Sequence, residues 1–262
     1  MGIHPTAVVS EAARLGEGVS VGPGAVVEDD VVIGARTELR AHAVVKRYTT
    51  LGEDNTVHEG AVLGGEPQDL AFAGAETRLE IGHRNRVREG VTIHRASKPG
   101  AVTRVGSGCF LMAYAHVAHD NRIGDGVIVA NNAGFGGYVE VHDRAFVSGG
   151  VMVHQFCRIG RLAMVGGNST VRQDALPFVT SDGVPCRAYG LNLVGLRRAG
   201  IPASHVRALK EGYRLLLRAG LLLPDALERM AALEDPLVDE AVAFVRSSKR
   251  GFIHAAPHDG EP

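Results

Sequence analysis

The hydrophobic positions of this chain recur every six residues. From Ile3 the series runs without a gap through Val9, Leu15, Val21, Val27, Ile33, Leu39, Val45, Leu51, Val57 and Leu63. It resumes in the same phase at Ile81, Val87 and Ile93. From Val105 it continues through Leu111, Val117, Ile123, Val129, Phe135, Val141, Val147, Val153, Ile159 and Val165 to Val171. Six is neither the period of a helix, about 3.6, nor the alternation of a simple strand. It fits a chain that makes a short strand, turns a corner and repeats. Three such faces close a triangular coil of about eighteen residues, and each strand pairs in parallel with its equivalent one coil away. The fold class is therefore mainly β: a parallel β-helix of hexapeptide repeats, with about nine to ten coils between Ile3 and Pro177.

Two further positions follow the same frame. The residue four after the aliphatic is usually small (Ala7, Ala13, Ala25, Ala43, Ala61, Cys109, Ala115, Ala133, Ala145, Ala163) and is expected to share the narrow interior. The residue directly after it is often glycine (Gly16, Gly22, Gly34, Gly52, Gly106, Gly124, Gly160, Gly166), which predicts a corner there that needs a permissive backbone. The frame lapses twice, over 64–78 (GGEPQDLAFAGAETR) and over 95–104 (RASKPGAVTR). Both read as loops extruded from the prism, either tolerated insertions or the carriers of binding residues on a rigid scaffold.

After Pro177 the period ends. Residues 178–190 read as a connector, and helical patterns follow over 191–199, 202–219, 224–233 and 235–247, with Pro near helix starts and Gly just past two of the ends. The expected organisation is a β-helix over 1–190, a small α-helical C-terminal domain over 191–250 and a loose tail over 251–262.

Composition narrows the function. With 28 Lys and Arg against 29 Asp and Glu, no global charge points to nucleic acid or an anionic membrane surface. No apolar run approaches the roughly 18 residues of a membrane span, and the N-terminus lacks a basic region followed by an apolar stretch, so a cytoplasmic protein is expected. The three cysteines (Cys109, Cys157, Cys186) are odd in number and far apart, which argues against a disulfide framework or a Cys-rich zinc site. Gly is abundant at 34 residues and Trp is absent, in keeping with a thin interior and many turns.

The twelve histidines hold the candidate chemistry. His116 and His119 share one coil, in HVAHD; His94 lies on an earlier coil and His154-Gln155 two coils later. Three roles compete. Neutral imidazoles from neighbouring coils and subunits suit zinc, as in hexapeptide-repeat carbonic anhydrases. Stacked rings can also form a structural ladder. Third, a histidine near neutrality can take a proton from a sugar hydroxyl as it attacks an activated carbonyl. The resulting oxyanion needs unobstructed backbone N–H donors, and Gly134-Phe135-Gly136-Gly137, one coil further on, offers them. No Ser or Cys sits beside a His in a recognisable elbow, consistent with an acyl group that arrives as a thioester.

Five stretches, GEPQDL (65–70), HVAHD (116–120), ANNAGFGGYV (130–139), GGVMVHQFCRIG (149–160) and GLNLVGLRR (190–198), resemble the UDP-N-acetylglucosamine O-acyltransferase family that begins lipid A biosynthesis. The resemblance covers nearly the whole chain and implies a left-handed coil. It implies His119 as general base toward the sugar 3-hydroxyl, Asp120 as the group that orients it, and the Gly137 N–H as the oxyanion donor. Gln68, Asp69 and His116 would contact the sugar, His154 and Gln155 would lie by the diphosphate and the acyl pantetheine, and Asn192 and Arg198 would face the nucleotide. His94 joins this group as a stacked histidine of the same side. Gly167 would leave the acyl groove open to longer chains. The implied donor is a 3-hydroxyacyl group on acyl carrier protein, with no metal or other cofactor, and the implied assembly is a homotrimer with sites between subunits.

The chain departs from the family pattern at Ala71, Tyr138, Val194 and Ala199, which stand where Lys, His, an acidic residue and Arg are usual. These changes leave open a 3-amino analogue of the sugar as acceptor. Because acyl carrier proteins are acidic, a basic docking face is expected, and Arg207, Lys210, Arg214 and Arg218 share one face of the second C-terminal helix. The N-acyltransferase acting later in the same pathway usually carries a uridine-binding domain before its β-helix, and here the repeat begins at Ile3. A coenzyme A-dependent acetyltransferase and a non-catalytic hexapeptide scaffold complete the alternatives.

Overall fold

The computed structural model describes residues 2–256. The six-residue frame folds into a three-sided prism whose walls are sheets of eleven, nine and eight strands, parallel except for the last strand of the first, and most of them two residues long. The first wall runs from Gly2–Ile3, the second from Val8–Val9 and the third from Arg14–Leu15. Register is set by the repeat: Ile3 pairs with Val21, Val9 with Val27 and Leu15 with Ile33. Each aliphatic therefore stacks on the one eighteen residues later, and the interior is a continuous column in which Val27, Leu39, Leu63, Val117 and Val147 are at most 1% exposed. The small residues four further on fill the same column; Ala25, Ala43, Ala115 and Ala133 are fully buried. One buried aliphatic contributes about 1.5–3 kcal/mol, and no single coil encloses one.

The loops keep the phase because they add whole repeats. Across the first, Val57 pairs with Val87, thirty residues on; across the second, Val87 pairs with Leu111, twenty-four on. The excess over eighteen is twelve and then six residues, so the aliphatic always returns to the interior. Longer strands flank the loops, Val62–Gly65 and Arg78–Ile81 around the first and Val102–Val105 after the second, so the extruded segments are shorter than the pattern lapse suggests.

The glycines after the aliphatics serve a purpose other than the expected one. None of the eight lies in the left-handed region. They are short of space instead: a Cβ on Gly16 would sit 2.6 Å from the Ala35 nitrogen, and one on Gly106 would sit 2.7 Å from the Gly124 carbonyl carbon of the next coil. The left-handed corner falls two residues later, where non-glycine residues such as Asp30 (φ 55), Arg36 (φ 57), Asp120 (φ 60) and Tyr138 (φ 61) adopt it. That conformation costs about 1–2 kcal/mol. It is offset by hydrogen bonds to the coil below, such as Arg36 N–H to Glu17 O (2.8 Å) and Tyr138 N–H to His119 O (3.1 Å).

The connector at 178–190 is a hairpin: Val179–Asp182 continues the first wall and pairs antiparallel with Arg187–Leu191. Four helices follow, α1 (Leu193–Arg198), α2 (Ala203–Leu217), α3 (Leu223–Ala231) and α4 (Pro236–Arg246). They are fastened to the last coils by polar contacts, chiefly Arg158 with the buried Asp174 (2.7 Å) and the Phe244 carbonyl (2.8 Å), Arg161 with Glu240 (2.6 Å), and the Tyr213 hydroxyl donating to Pro177 O (2.6 Å). The expected loose tail is corrected over residues 251–256. Phe252 bridges to Asp174 and Ala255 to Ala188, and Phe252 and Ile253 are buried as part of the hydrophobic core, so the segment is held by both backbone pairing and apolar burial. The rest of that call, 257–262, lies outside the described residues.

Candidate active site

His119 lies on the second wall just after its strand His116–Val117, and Asp120 occupies the following corner. On a flat strand the two side chains would diverge. The left-handed corner turns Asp120 back, and its Oδ2 accepts from His119 Nδ1 at 2.7 Å. Both side chains are nearly buried, at 12% and 8% exposure. The same carboxylate oxygen accepts from the Ser97 N–H (3.0 Å) and Ser97 hydroxyl (2.7 Å), while the Asp120 N–H donates to Thr103 Oγ1 (2.8 Å). Ser97 and Thr103 lie in or beside the second loop. Neither stood out in the sequence, since their partners are 17–23 residues away along the chain.

The next coil brings Gly137 against the imidazole. A Cβ at Gly137 would lie 2.5 Å from His119 Cε1 and 2.8 Å from Nε2, so only glycine lets the ring rest there. Tyr138, at the corner above Asp120, meets the His119 ring edge-on (centroids 5.5 Å apart, 89° between planes) and stacks on Phe156 (4.8 Å, 13°).

His94 and His116 form a second pair, edge to face at 4.9 Å, and His116 Nδ1 is 2.7 Å from Thr92 Oγ1. Burial pushes His94 down to about 4, helped by the nearby His116 and His119. Burial and His119 also lower His116. In both rings the neutral form is favoured over the charged one. These rings do not converge as ligands. Among the described residues, the one trio of metal-type ligand atoms within 4.8 Å is His58, Glu59 and Glu89, against which Arg40 already stands, 3.3 Å from His58 Nδ1.

The other predicted residues are placed around this centre with varied commitments. Gln68 and Asp69 sit on the first loop, where Asp69 Oδ1 accepts from the Ala71 N–H (2.9 Å) in a local turn. That loop is tied to the second by Arg95 N–H to Gly65 O (2.9 Å) and Gly100 N–H to Glu76 O (3.1 Å). The Arg95 side chain is buried beneath it, between the rings of Tyr48 and Phe72. His154 and Gln155 are exposed two coils beyond His119, and His154 Nδ1 turns to the Gln155 carbonyl (3.0 Å). Gly167 has room: an added Cβ would meet only Gly149 O, at 3.5 Å.

Asn192 is the N-cap of α1 rather than part of it. Its amide accepts from Gly195 N–H and donates to Leu162 O, each at 2.9 Å, which occupies both ends of the side chain. Arg198 is exposed in the last turn. On α2, Arg207 and Lys210 are exposed, whereas Arg214 is paired with Glu211 (2.7 Å) and Arg218 donates to Ala256 O (2.8 Å). Lys210, Arg214 and Arg218 line a groove of about 280 Å³ together with Tyr189, Leu193 and Leu217. A larger concavity, about 920 Å³, runs along the third wall and holds none of the predicted site residues. On the histidine-bearing wall the outward side chains of Val8 and Met152 are 64% and 52% exposed.

The geometry can be set beside known proteins. Residues 174–253 match the family described as UDP-N-acetylglucosamine O-acyltransferase, domain 2, and residues 12–47 and 103–137 match the bacterial transferase hexapeptide repeats. An acyl-[acyl-carrier-protein]–UDP-N-acetylglucosamine O-acyltransferase from Alkalilimnicola ehrlichii is 44% identical over 254 residues, covering 96% of this chain and 98% of that one. This chain belongs to the UDP-N-acetylglucosamine O-acyltransferase family. Solved structures agree. The enzyme from Moraxella catarrhalis superposes with a TM-score of 0.94 at 39% identity, covering 97% of this chain and 100% of that one. The Bacteroides fragilis enzyme gives 0.93 at 36%, covering 96% and 99%. The chain is thus an acyltransferase, and its prism is the left-handed β-helix of that family, against the right-handed habit of parallel crossovers. Among the described residues no helix is long and apolar enough to cross a membrane.

Proposed function

We propose that this chain transfers a 3-hydroxyacyl group from acyl carrier protein to the 3-hydroxyl of UDP-N-acetylglucosamine, the first step of lipid A biosynthesis, with His119 as general base. The observation that carries the residue assignment is the His119–Asp120 pair lying against Gly137. Asp120 is acceptor-only when ionised, so it keeps the proton on Nδ1 and leaves the Nε2 lone pair for the substrate. Nε2 takes the hydroxyl proton as the sugar oxygen attacks the thioester carbonyl. The Gly137 N–H stabilises the oxyanion, the C–S bond breaks, and the proton returns to the departing thiolate.

Gln68, Asp69 and His116 hold the sugar in this reading, His154 and Gln155 lie along the diphosphate and pantetheine, and Arg198 serves the nucleotide. Asn192 acts there by fixing the start of α1, since its amide is already engaged. The assembly in this reading is a homotrimer in which a neighbouring subunit completes each site; the exposed Val8 and Met152 side chains on the histidine-bearing wall are in keeping with a covered face. Arg207, Lys210, Arg214 and Arg218 form the face for the acidic carrier.

The test offers purified protein UDP-N-acetylglucosamine and its 3-amino analogue with 3-hydroxyacyl carriers of graded length, and identifies the products by mass. Ester formation that falls on the order of 10²-fold in His119→Ala is the expected result. Near-wild-type turnover in that variant would overturn the base assignment, and product only from the amino sugar would overturn the acceptor. Reversing Arg207 and Lys210 together should raise KM for the carrier about 10-fold with Tm unchanged; an unaltered KM would remove that face from docking.

A further inference from the structure

The Tyr138 hydroxyl lies 3.1 Å from Ser97 Oγ. We infer that Ser97 and Tyr138 are positioning residues for the reaction: they complete a one-way hydrogen-bond chain that locks the Asp120 carboxylate, and through it the His119 tautomer. The inference rests on His119 being the base.

The direction of the chain follows from counting protons. Asp120 Oδ2 is within hydrogen-bond distance of three groups, the Ser97 N–H, the Ser97 hydroxyl and His119 Nδ1. An ionised carboxylate only accepts, so all three donate to it. The single hydroxyl proton of Ser97 is then committed to Asp120, and its oxygen is left to accept from the Tyr138 hydroxyl. Protons therefore point from Tyr138 through Ser97 to Asp120, and from the other side from His119 Nδ1 to Asp120. No link can reverse while the carboxylate is charged.

The parts are held firmly enough to act. Ser97 is 9% exposed and the Asp120 side chain 8%, so the carboxylate depends on these donors in place of water. Tyr138 is fixed from three sides: by its left-handed corner, by stacking on Phe156, and by Lys98 Nζ lying 5.6 Å from its ring centroid. Ser97 is fixed by its own loop, since the neighbouring Ala96 N–H donates to Arg78 O (3.3 Å) and Arg95 N–H to Gly65 O. The second loop thereby joins the first loop to the catalytic corner. Loosening Ser97 would let the carboxylate rotate, and His119 would divide between two tautomers, only one of which presents a lone pair at Nε2.

The experiment is a double-mutant cycle on the full-length protein. Ser97→Ala, Tyr138→Phe, Asp120→Asn and the Ser97→Ala/Asp120→Asn pair are assayed for kcat, KM and Tm, with Ser97→Thr as the rescue and His119→Ala as the reference. We expect Ser97→Ala to lower kcat about 10-fold and Tyr138→Phe by a few-fold, with KM for the UDP-sugar nearly unchanged. Ser97→Thr should restore the rate, and Ser97→Ala should cost nothing further once Asp120 is Asn. A loss that is fully additive with Asp120→Asn, or kcat unchanged in both Ser97→Ala and Tyr138→Phe, would overturn the positioning role. If those losses appear but His119→Ala retains turnover, the base reading fails instead. Should Ser97→Ala fold poorly, Tyr138→Phe, alone and paired with Asp120→Asn, carries the same cycle, because it deletes one hydroxyl and leaves the stacked ring in place.

Discussion

Asp30 and Asp120 occupy the same slot of the coil, three residues after an interior valine of the second wall, and both adopt the left-handed corner. Asp30 is exposed, and its role is structural: its carbonyl accepts from Tyr48 N–H on the next coil. The Asp120 side chain is only 8% exposed, receives Ser97 and His119, and lies at the centre of the proposed site. The backbone is equivalent in the two places. What differs is the surroundings, because the second loop folds over Asp120 and nothing comparable covers Asp30. The outward strand position of the wall shows the same contrast: Val8, Val26, Val44 and Val62 in the early coils give way to Thr92, His116, Gly134 and Met152 in the later ones. A solenoid supplies equivalent slots, and an inserted loop gives one of them a different environment.

That contrast can be broken most severely at Gly137. Gly137→Ala should displace the His119 ring and lower kcat/KM about 10²-fold with little change in Tm. Gly167→Ala, with free space around it, should fold normally and shift preference toward shorter acyl carriers. Equal effects at the two glycines would show that the close approach of His119 to Gly137 is not what matters.

An interior change in the early coils should do the reverse. Leu39→Ala is expected to cost about 2–5 kcal/mol in urea unfolding, because it opens a cavity in the shared column. Specific activity of the native fraction should be unchanged, and a comparable fall in kcat would mean that strain travels along the prism to the site.

The buried histidines sharpen the comparison with a pH test. His94 and His116 have folded pKa values below the ordinary 6.5, so folding favours their neutral forms. The His94 contribution is present above about pH 6.5 and is lost as pH falls toward 4, where the folded protein must itself take up the proton, and His116 acts in the same direction. His94→Gln should therefore flatten the decline of Tm between pH 6.5 and 4, and an unchanged decline would place the sensitivity elsewhere. The smallest effect is expected at the opposite pole of the comparison: Asp30→Asn should leave stability within about 0.5 kcal/mol and activity unaltered.

Much of the molecule was legible in the chain because its main signal is periodic. The interior aliphatics, the small residues beside them and the two loops all follow from a frame of six. The hand of the coil did not, since both hands bury the same residues; it came from the family. The glycines after the aliphatics were misread for a related reason: composition shows that a side chain is missing, not whether conformation or a neighbouring coil excludes it. The hairpin at 179–191 was hidden because its two strands pair antiparallel with a register shift and so leave the six-residue frame, and the docking of Phe252 and Ile253 because a six-residue segment has no period to detect.

For the proposed site, sequence by itself singled out the candidate coils: HVAHD, the Gly-rich stretch after it and HQ are local words, each readable where it stands. Tertiary structure decided how they work together. The turn that brings Asp120 back onto His119 is a corner conformation, the need for glycine at 137 arises from a ring eighteen residues earlier in the chain, and Ser97 reaches Asp120 from an inserted loop. Each of these is a contact between coils, created only when the repeat stacks, and a one-dimensional pattern holds no information about which side chains that stacking leaves within reach.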